Sequence, residues 1–297
     1  MRTIESIAEL RAAVADWRRA HPGGTVGFVP TMGYLHEGHA SLIRRSAAEN
    51  GLTVVSVFVN PLQFGPNEDF DRYPRDPGRD RRVAEAAGCD LLFMPSVDEM
   101  YPRPTATRVV ISGLTERLCG ASRPGHFDGV GTVVAKLLHI VMPDHAYFGM
   151  KDAQQVAVIE RMVEDLNFPV RIVPCETVRE PDGLAMSSRN VYLNAEERRQ
   201  AVILYETLQL AEEKFLEPGM TPGKLAEAMR ESIRRAPLAV TDYAEVLTWP
   251  DLRLPEERPF DAMPPGSRFI AALAVRFGRT RLIDNRLLEI RTPAGKE

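Results

Sequence analysis

Ile7, Leu10, Val14 and Trp17 recur at steps of three and four with charged residues between them. That spacing predicts an amphipathic helix stopping near Gly23 and Gly24. TVGFVP (25–30) follows as a short apolar run, read as a buried strand. HASLIRRSAAEN (39–50) returns to helical spacing and ends before Gly51, and TVVSVFVN (53–60) is a β-branched second strand. Strand, helix and strand in this order predict parallel strands joined by a right-handed crossover. The alternation continues with a helix near 78–88, strands at 90–95 and 108–112, a helix over 129–142, a strand at 145–149, a helix over 152–166 and a strand at 170–174. Such repetition predicts an α/β domain with a Rossmann-like, doubly wound parallel sheet.

After Val178 the pattern changes. EPDG (180–183) is a turn-rich joint. A long helix from Ala195 to about Leu216 and another over 221–235 come next, and then strands at 242–248, 268–277, 279–285 and 286–290. Helices followed by strands predict a separate, smaller α+β domain, which divides the chain into 1–177 and 178–297. The Pro-rich stretch 255–265 reads as a surface loop.

Composition narrows the class. The chain has 297 residues, 44% hydrophobic and 26% charged, as ordinary soluble globular proteins do. A net charge of −4 argues against non-specific nucleic-acid or membrane-surface binding, both of which favour a basic excess. Cys89, Cys119 and Cys175 form no Cys-x-x-Cys pair, so the expectation is of buried free thiols rather than a zinc site or disulfide framework. No apolar run reaches 18 residues, and the first residues lack the unbroken apolar block of a secretory signal. A cytoplasmic protein is expected.

The candidate chemistry gathers where strands end. Nucleotides bind at the carboxyl ends of strands in doubly wound sheets. The first strand carries neither G-x-G-x-x-G nor the Walker phosphate loop. It leads instead into PTMGYLHEGH, where His36 and His39 stand three residues apart and Gly33 and Gly38 allow close backbone approach. Two imidazoles at a helix start can donate to one polyphosphate, where free N–H groups and the helix dipole also favour an anion. A helix cap or a metal pair are the other readings of H-x-x-H. After the second strand, Asn60 and Gln63 are neutral amides able to read hydroxyl and carboxylate groups. RPGHFDGVG (123–131) sets Arg123 and His126 before a Gly-rich helix start. FGMKDAQQ (148–155) places Lys151 at another helix start, a position that suits a cation only with an anion beside it. Asp152 reads as an N-cap or as a ribose or metal contact, and Gln155 lies one turn on. MSSRN (186–190) offers two hydroxyls and a guanidinium that match phosphate oxygens.

H-x-G-H with the downstream MSSRN resembles the HIGH and KMSKS signatures of the nucleotidylyltransferase superfamily. More specifically, PTMGYLHEGH, FVNPLQFGPNEDFDRYPR, RPGHFDGVGTVVAKL, FGMKDAQQ and MSSRN, in this order and spacing, resemble the pantoate–β-alanine ligase (pantothenate synthetase) family. The likeness runs from the first strand to about Asn190 and is looser beyond. It implies ATP-dependent joining of pantoate to β-alanine through a pantoyl-adenylate, on the route to coenzyme A. It also implies a homodimer, and a C-terminal lid domain hinged near 178–183. For ATP it implies Met32, Gly33, Tyr34, Leu35, His36, Glu37, Gly38 and His39, then Gly149, Met150, Lys151 and Asp152, then Val178, and finally Met186, Ser187, Ser188 and Arg189. His39 would be the proton donor, with His36, Lys151, Ser187, Ser188 and Arg189 as catalytic donors. Gln63 would touch both pantoate and β-alanine and Gln155 pantoate, with Pro30, Thr31, Asn60, Tyr73, Arg123 and His126 lining the same site. Met150 stands where most members carry Glu. Asp80 is the family-based candidate metal ligand, although Arg79 and Val83 beside it suit a cation poorly, so Mg2+ is expected to arrive on the ATP and its protein ligands are unknown.

Two rival readings stand beside this one. Another nucleotidylyltransferase would move AMP or CMP onto a phosphate, but such an acceptor calls for Arg or Lys where Gln63 and Gln155 stand. A silent nucleotide-binding scaffold would have no need of the full set of donors.

Overall fold

The computed structural model describes residues 1–66 and 68–291. Along the chain come β1 (Arg2–Ile4), α1 (Ile7–Ala20), β2 (Val26–Thr31), α2 (Glu37–Glu49), β3 (Leu52–Val57), α3 (Pro77–Ala86) and β4 (Leu91–Phe93). They are followed by α4 (Val97–Met100), α5 (Leu118–Ser122), α6 (His126–Val141), β5 (His145–Gly149), α7 (Ala153–Asp165) and β6 (Arg171–Cys175). Next are α8 (Ala195–Gln200), α9 (Ile203–Phe215), α10 (Pro222–Ile233), β7 (Ala239–Thr248), β8 (Arg268–Phe277) and β9 (Thr280–Glu289). The chain forms two compact units. One comprises Met1–Thr115, Arg123–Met150 and Val158–Val178, the other Glu116–Ser122, Lys151–Ala157 and Arg179–Glu297.

The first unit holds a parallel sheet in the order β1-β4-β3-β2-β5-β6. Its central strands are apolar along their length because parallel strands with helical crossovers are buried on both faces. Val29, Leu35, Ile43, Val55, Leu92 and Tyr147 form part of this core. The chain builds outward from β2 in one direction through β3 and β4, then returns to place β5 on the other side of β2. The strand order therefore reverses between β2 and β5, at whose carboxyl ends a crevice opens in sheets of this kind.

Two features depart from the sequence expectation. β1 is an edge strand paired with β4 through Arg2↔Leu91 and Ile4↔Phe93. Only Ile4 of its three residues is buried, so too little apolar pattern announces it. The segment 108–112, expected as a strand, does not pair with the sheet. Its alternation serves α6 instead. The Val109 N–H donates to Thr132 Oγ1 at 3.0 Å, and Ile111 packs so closely on Gly131 that a Cβ there would lie 2.7 Å from its Cδ1.

In the second unit β7, β8 and β9 make an antiparallel sheet in that order, and α9 and α10 share its core through Leu204, Leu208, Leu225, Met229, Leu273 and Val275. The single helix expected from Ala195 breaks into α8 and α9. Between them the Leu204 N–H donates to the Ala201 carbonyl, a tighter i→i+3 turn that rotates the following helix. The strands expected at 279–285 and 286–290 are one strand, β9, in unbroken register with β8 from Thr280↔Phe277 to Glu289↔Arg268. All three cysteines are buried free thiols. Burial pushes the Cys89 thiol up to about 12, which leaves it unreactive. Among the described residues no helix is long and apolar enough to cross a membrane.

Candidate active site

β2 ends at Thr31, and the chain then makes a tight loop before α2. Thr31 Oγ1 donates to the Ser56 carbonyl on β3 at 2.7 Å and accepts from the Gly33 N–H at 3.2 Å. Gly33 has φ +82°, and a Cβ there would sit 2.8 Å from Val57 and 2.9 Å from Asp80, so both the backbone angle and the space require glycine. Asp80, on α3, is 2% exposed. Its carboxylate accepts the Tyr34 N–H at 3.2 Å and the Leu35 N–H at 2.7 Å. Burial raises its carboxyl above the usual range, and these two main-chain donors partly offset that. Arg79 completes the clamp, donating to the Leu35 carbonyl at 3.0 Å and lying over the Tyr34 ring at 4.7 Å. Asp80, the family-based metal candidate, thus has both oxygens engaged in holding the loop. Among the described residues no group of three or more His, Cys, Asp or Glu is placed to hold a metal ion.

The clamped loop delivers the histidine pair. His36 is the N-cap of α2, and His39 lies in its first turn. The Gly38 N–H donates to His36 Nδ1 at 3.1 Å, and the His36 N–H donates to His39 Nδ1 at 3.3 Å. Main-chain N–H groups can only donate, so both Nδ1 atoms accept. Each neutral ring therefore carries its proton on Nε2. The two rings stand 4.1 Å apart at 43°. The cap reading and the donor reading hold together, because capping through Nδ1 is what fixes a donor at Nε2.

Beyond β3, the turn Pro61–Gln63 carries the amide pair. Asn60 is 1% exposed. Its amide donates to Gln63 Oε1 and to the Gly129 carbonyl at 3.1 Å each, and its oxygen accepts from the Tyr101 hydroxyl at 2.9 Å. Gln63 Nε2 donates to the Met32 sulfur at 3.0 Å, a weak acceptor that a carboxylate or hydroxyl oxygen can replace. Gly129, in α6, packs directly on the Leu62 carbonyl. That contact explains the glycine in the motif without a bound anion. Arg123 gives its fork to Glu68, and His126 donates from Nδ1 to the Gln63 carbonyl at 2.9 Å. Tyr73 is buried with its ring edge-on to Phe64 at 6.0 Å.

β5 ends at Gly149, next to β2 in the sheet, and Met150 follows. In the second unit, Lys151 Nζ lies 3.8 Å from Asp152 Oδ1, and the Lys151 carbonyl accepts from Asn285 Nδ2 at 2.9 Å. Gln155 is half-buried in the first turn of α7. Its neighbour Gln154 is buried, accepting from the Cys119 N–H and donating to the Arg117 carbonyl, at 2.9 Å each. Ser187 caps a short 3-10 turn by accepting from the Arg189 N–H at 3.3 Å, and Ser188 is buried. The loop before them is anchored by Arg179, whose guanidinium binds both oxygens of Asp284 at 2.6 and 3.1 Å. Sequence reading missed three supports here: the clamp of Asp80 and Arg79, then Glu68, then Arg179. Asp80, Arg79 and Arg179 lie outside the motifs they support, Glu68 lies within the Gln63 motif, and each has its partner distant along the chain.

The comparisons bear on the whole chain. The family described as Pantoate-beta-alanine ligase matches residues 2–287. The pantothenate synthetase of Geobacillus kaustophilus (strain HTA426) is 53% identical over 290 residues, which cover 98% of this chain and 94% of that protein. The crystal structure of pantothenate synthetase from Thermus thermophilus superposes with TM-score 0.88 at 49% identity, covering 98% of this chain and 100% of that one. The pantoate-β-alanine ligase from Francisella tularensis, crystallised in complex with β-γ ATP and β-alanine, has TM-score 0.76 at 34% identity and covers 97% of each chain. With the sheet, the clamped histidine pair and these matches over nearly its full length, the chain belongs to the pantoate–β-alanine ligase family.

Proposed function

We propose that this chain condenses pantoate with β-alanine at the expense of ATP, through a pantoyl-adenylate. The observation that carries the reading is the His36–His39 pair beside the β2–β5 reversal, with both Nδ1 atoms taken by main-chain donors. A carboxylate does not react with an amine directly, since its leaving group would be oxide. In the first half-reaction a pantoate carboxylate oxygen attacks the α-phosphorus of ATP, and the bond to pyrophosphate breaks. In the second, the β-alanine amine attacks the acyl carbon, AMP leaves, and the nitrogen gives up a proton.

Negative charge grows on the α-phosphate and pyrophosphate oxygens in the first half, and fixed donors lower its energy. Nε2–H of His36 and His39 supplies two such donors. Lys151, Ser187, Ser188 and Arg189 are assigned the others, with His39 as proton donor. The Gln63 amide, held by Asn60, would exchange its weak sulfur acceptor for pantoate, and Gln155 would share that substrate. Pro30, Thr31 and Tyr73 complete the substrate side, and Arg123 and His126 stand behind Gln63. The backbone from Met32 to His39, with Gly149, Met150, Asp152, Val178 and Met186, would contact the nucleotide. Mg2+ would come on the ATP, since Asp80 is committed to the loop. We read 1–177 as the ATP- and pantoate-binding domain, and the enzyme as a cytoplasmic homodimer, which light scattering on the purified protein would test.

Mass spectrometry tests the reaction. Protein with ATP, magnesium and pantoate should hold pantoyl-adenylate, and adding β-alanine should release pantothenate and AMP. ATP binding with neither product would sink the ligase and turn attention to phosphate-bearing acceptors.

A further inference from the structure

A chain of hydrogen bonds with one fixed polarity stands behind Gln63. Both Glu68 oxygens accept from Arg123, from Nε and from Nη2 at 2.6 Å each, and the Gly65 N–H adds a third bond at 3.2 Å. The remaining Arg123 nitrogen, Nη1, meets His126 Nε2 at 3.0 Å. A guanidinium only donates, so His126 Nε2 accepts and its proton sits on Nδ1. That proton goes to the Gln63 carbonyl at 2.9 Å, which Arg123 Nη2 also reaches at 3.3 Å. The Glu68 and Arg123 side chains are mostly buried, 24% and 16% exposed. Burial pushes the Glu68 carboxyl up, but the Arg123 hydrogen bonds and charge outweigh it and hold the carboxyl below its ordinary value.

We infer that Glu68 is a positioning residue for the acid substrate: it locks the Arg123 fork so that Arg123 and His126 hold the Gln63 main-chain carbonyl and so fix the turn from which the Gln63 amide projects. The inference rests on the reading of Gln63 as a pantoate contact. Without Glu68, Arg123 is a mostly buried cation that has lost the carboxylate its fork binds. Its fork then swings, the bond to His126 Nε2 is lost, and the tautomer that grips Gln63 loses one of its anchors.

Steady-state kinetics on the full chain separate this from a structural role. Glu68→Gln should raise the pantoate KM about ten- to a hundredfold, as misplacement of a substrate-holding group does, with the ATP KM unmoved. Arg123→Lys keeps the charge but has no fork to span Glu68 and His126, and should reproduce the defect. It also serves if Glu68→Gln does not fold. Folded variants whose pantoate KM stays within about twofold of the unaltered chain, or whose kcat falls with no change in KM, overturn the inference. Failure of the underlying reading shows differently: the unaltered chain then releases no pyrophosphate on adding pantoate, and the role of Glu68 falls with it.

Discussion

The His36 N–H donates to Nδ1 of His39 across 3.3 Å, and the same His36 accepts through its own Nδ1 from Gly38. The exchange is reciprocal: each histidine helps cap the helix that carries the other. Its chemical consequence is a shared tautomer, with both Nε2 atoms protonated while the rings stay neutral. Preorganised donors of this kind need no rearrangement as charge develops on a phosphate.

Alanine at His39 removes one of those donors and the acceptor for the His36 N–H. Alanine at Lys151 removes a cation next to the end of β5. Each should slow pantoate-dependent ATP–pyrophosphate exchange by about 10²- to 10³-fold. A folded variant that exchanges within about threefold of the unaltered chain removes its residue from the mechanism.

Asp80→Asn leaves one oxygen for two main-chain donors and turns an NH₂ toward one of them. Urea unfolding should show a loss of about 1–3 kcal/mol, with activity falling as the histidine loop loosens. The acid side carries a second signature. Burial raises this carboxyl above its ordinary 3.8, so the native state holds its proton more tightly than the unfolded chain. Its contribution to stability therefore declines as pH rises from the ordinary value through the folded one. The asparagine variant should lack that decline, and an identical pH–stability curve would contradict the assignment.

Glu68 runs the other way. Its folded carboxyl lies below the ordinary 4.5, so it stabilises the native state above that pH and loses the contribution as pH falls through the folded value. Stability curves for Glu68→Gln and the unaltered chain should diverge at neutral pH and converge in acid. Parallel curves would show that the Arg123 pair is not maintained in solution.

Gly129→Ala drives a methyl into the Leu62 carbonyl and to 2.6 Å from the Gln63 nitrogen. Backbone cannot rotate away as a side chain can, so α6 and the Pro61–Gln63 turn must separate. A loss of about 1–3 kcal/mol in denaturant melts is expected. An unchanged midpoint would mean that the two elements are not in contact.

Much of the site could be read from the chain because it is local. A strand end followed by glycine, two histidines and a helix start is contained within ten or so residues, and its capping geometry depends on few others. The same holds for β2, β3 and β5, whose apolar runs are long enough to be recognised. Where the reading failed, a short pattern had two outlets. The apolar residues of 108–112 could face a sheet or a helix, and Val109 and Ile111 pack on the helix at Gly131. The strands expected at 279–285 and 286–290 meet at Asn285 and Arg286, yet the ladder to β8 continues through both.

By itself the sequence determined the alternation of elements, the positions of the strand ends and the residue types that gather there. It did so because periodicity and turn chemistry act over a few residues. Only the tertiary structure decided what those residues are free to do. Asp80 was available to a metal until the fold set it against the Tyr34 and Leu35 N–H groups. Arg123 was available to an anion until the fold brought it to Glu68, 55 residues away. Charge and hydrogen-bonding capacity are written in the chain, but which partner consumes them is settled by contacts between residues far apart in it.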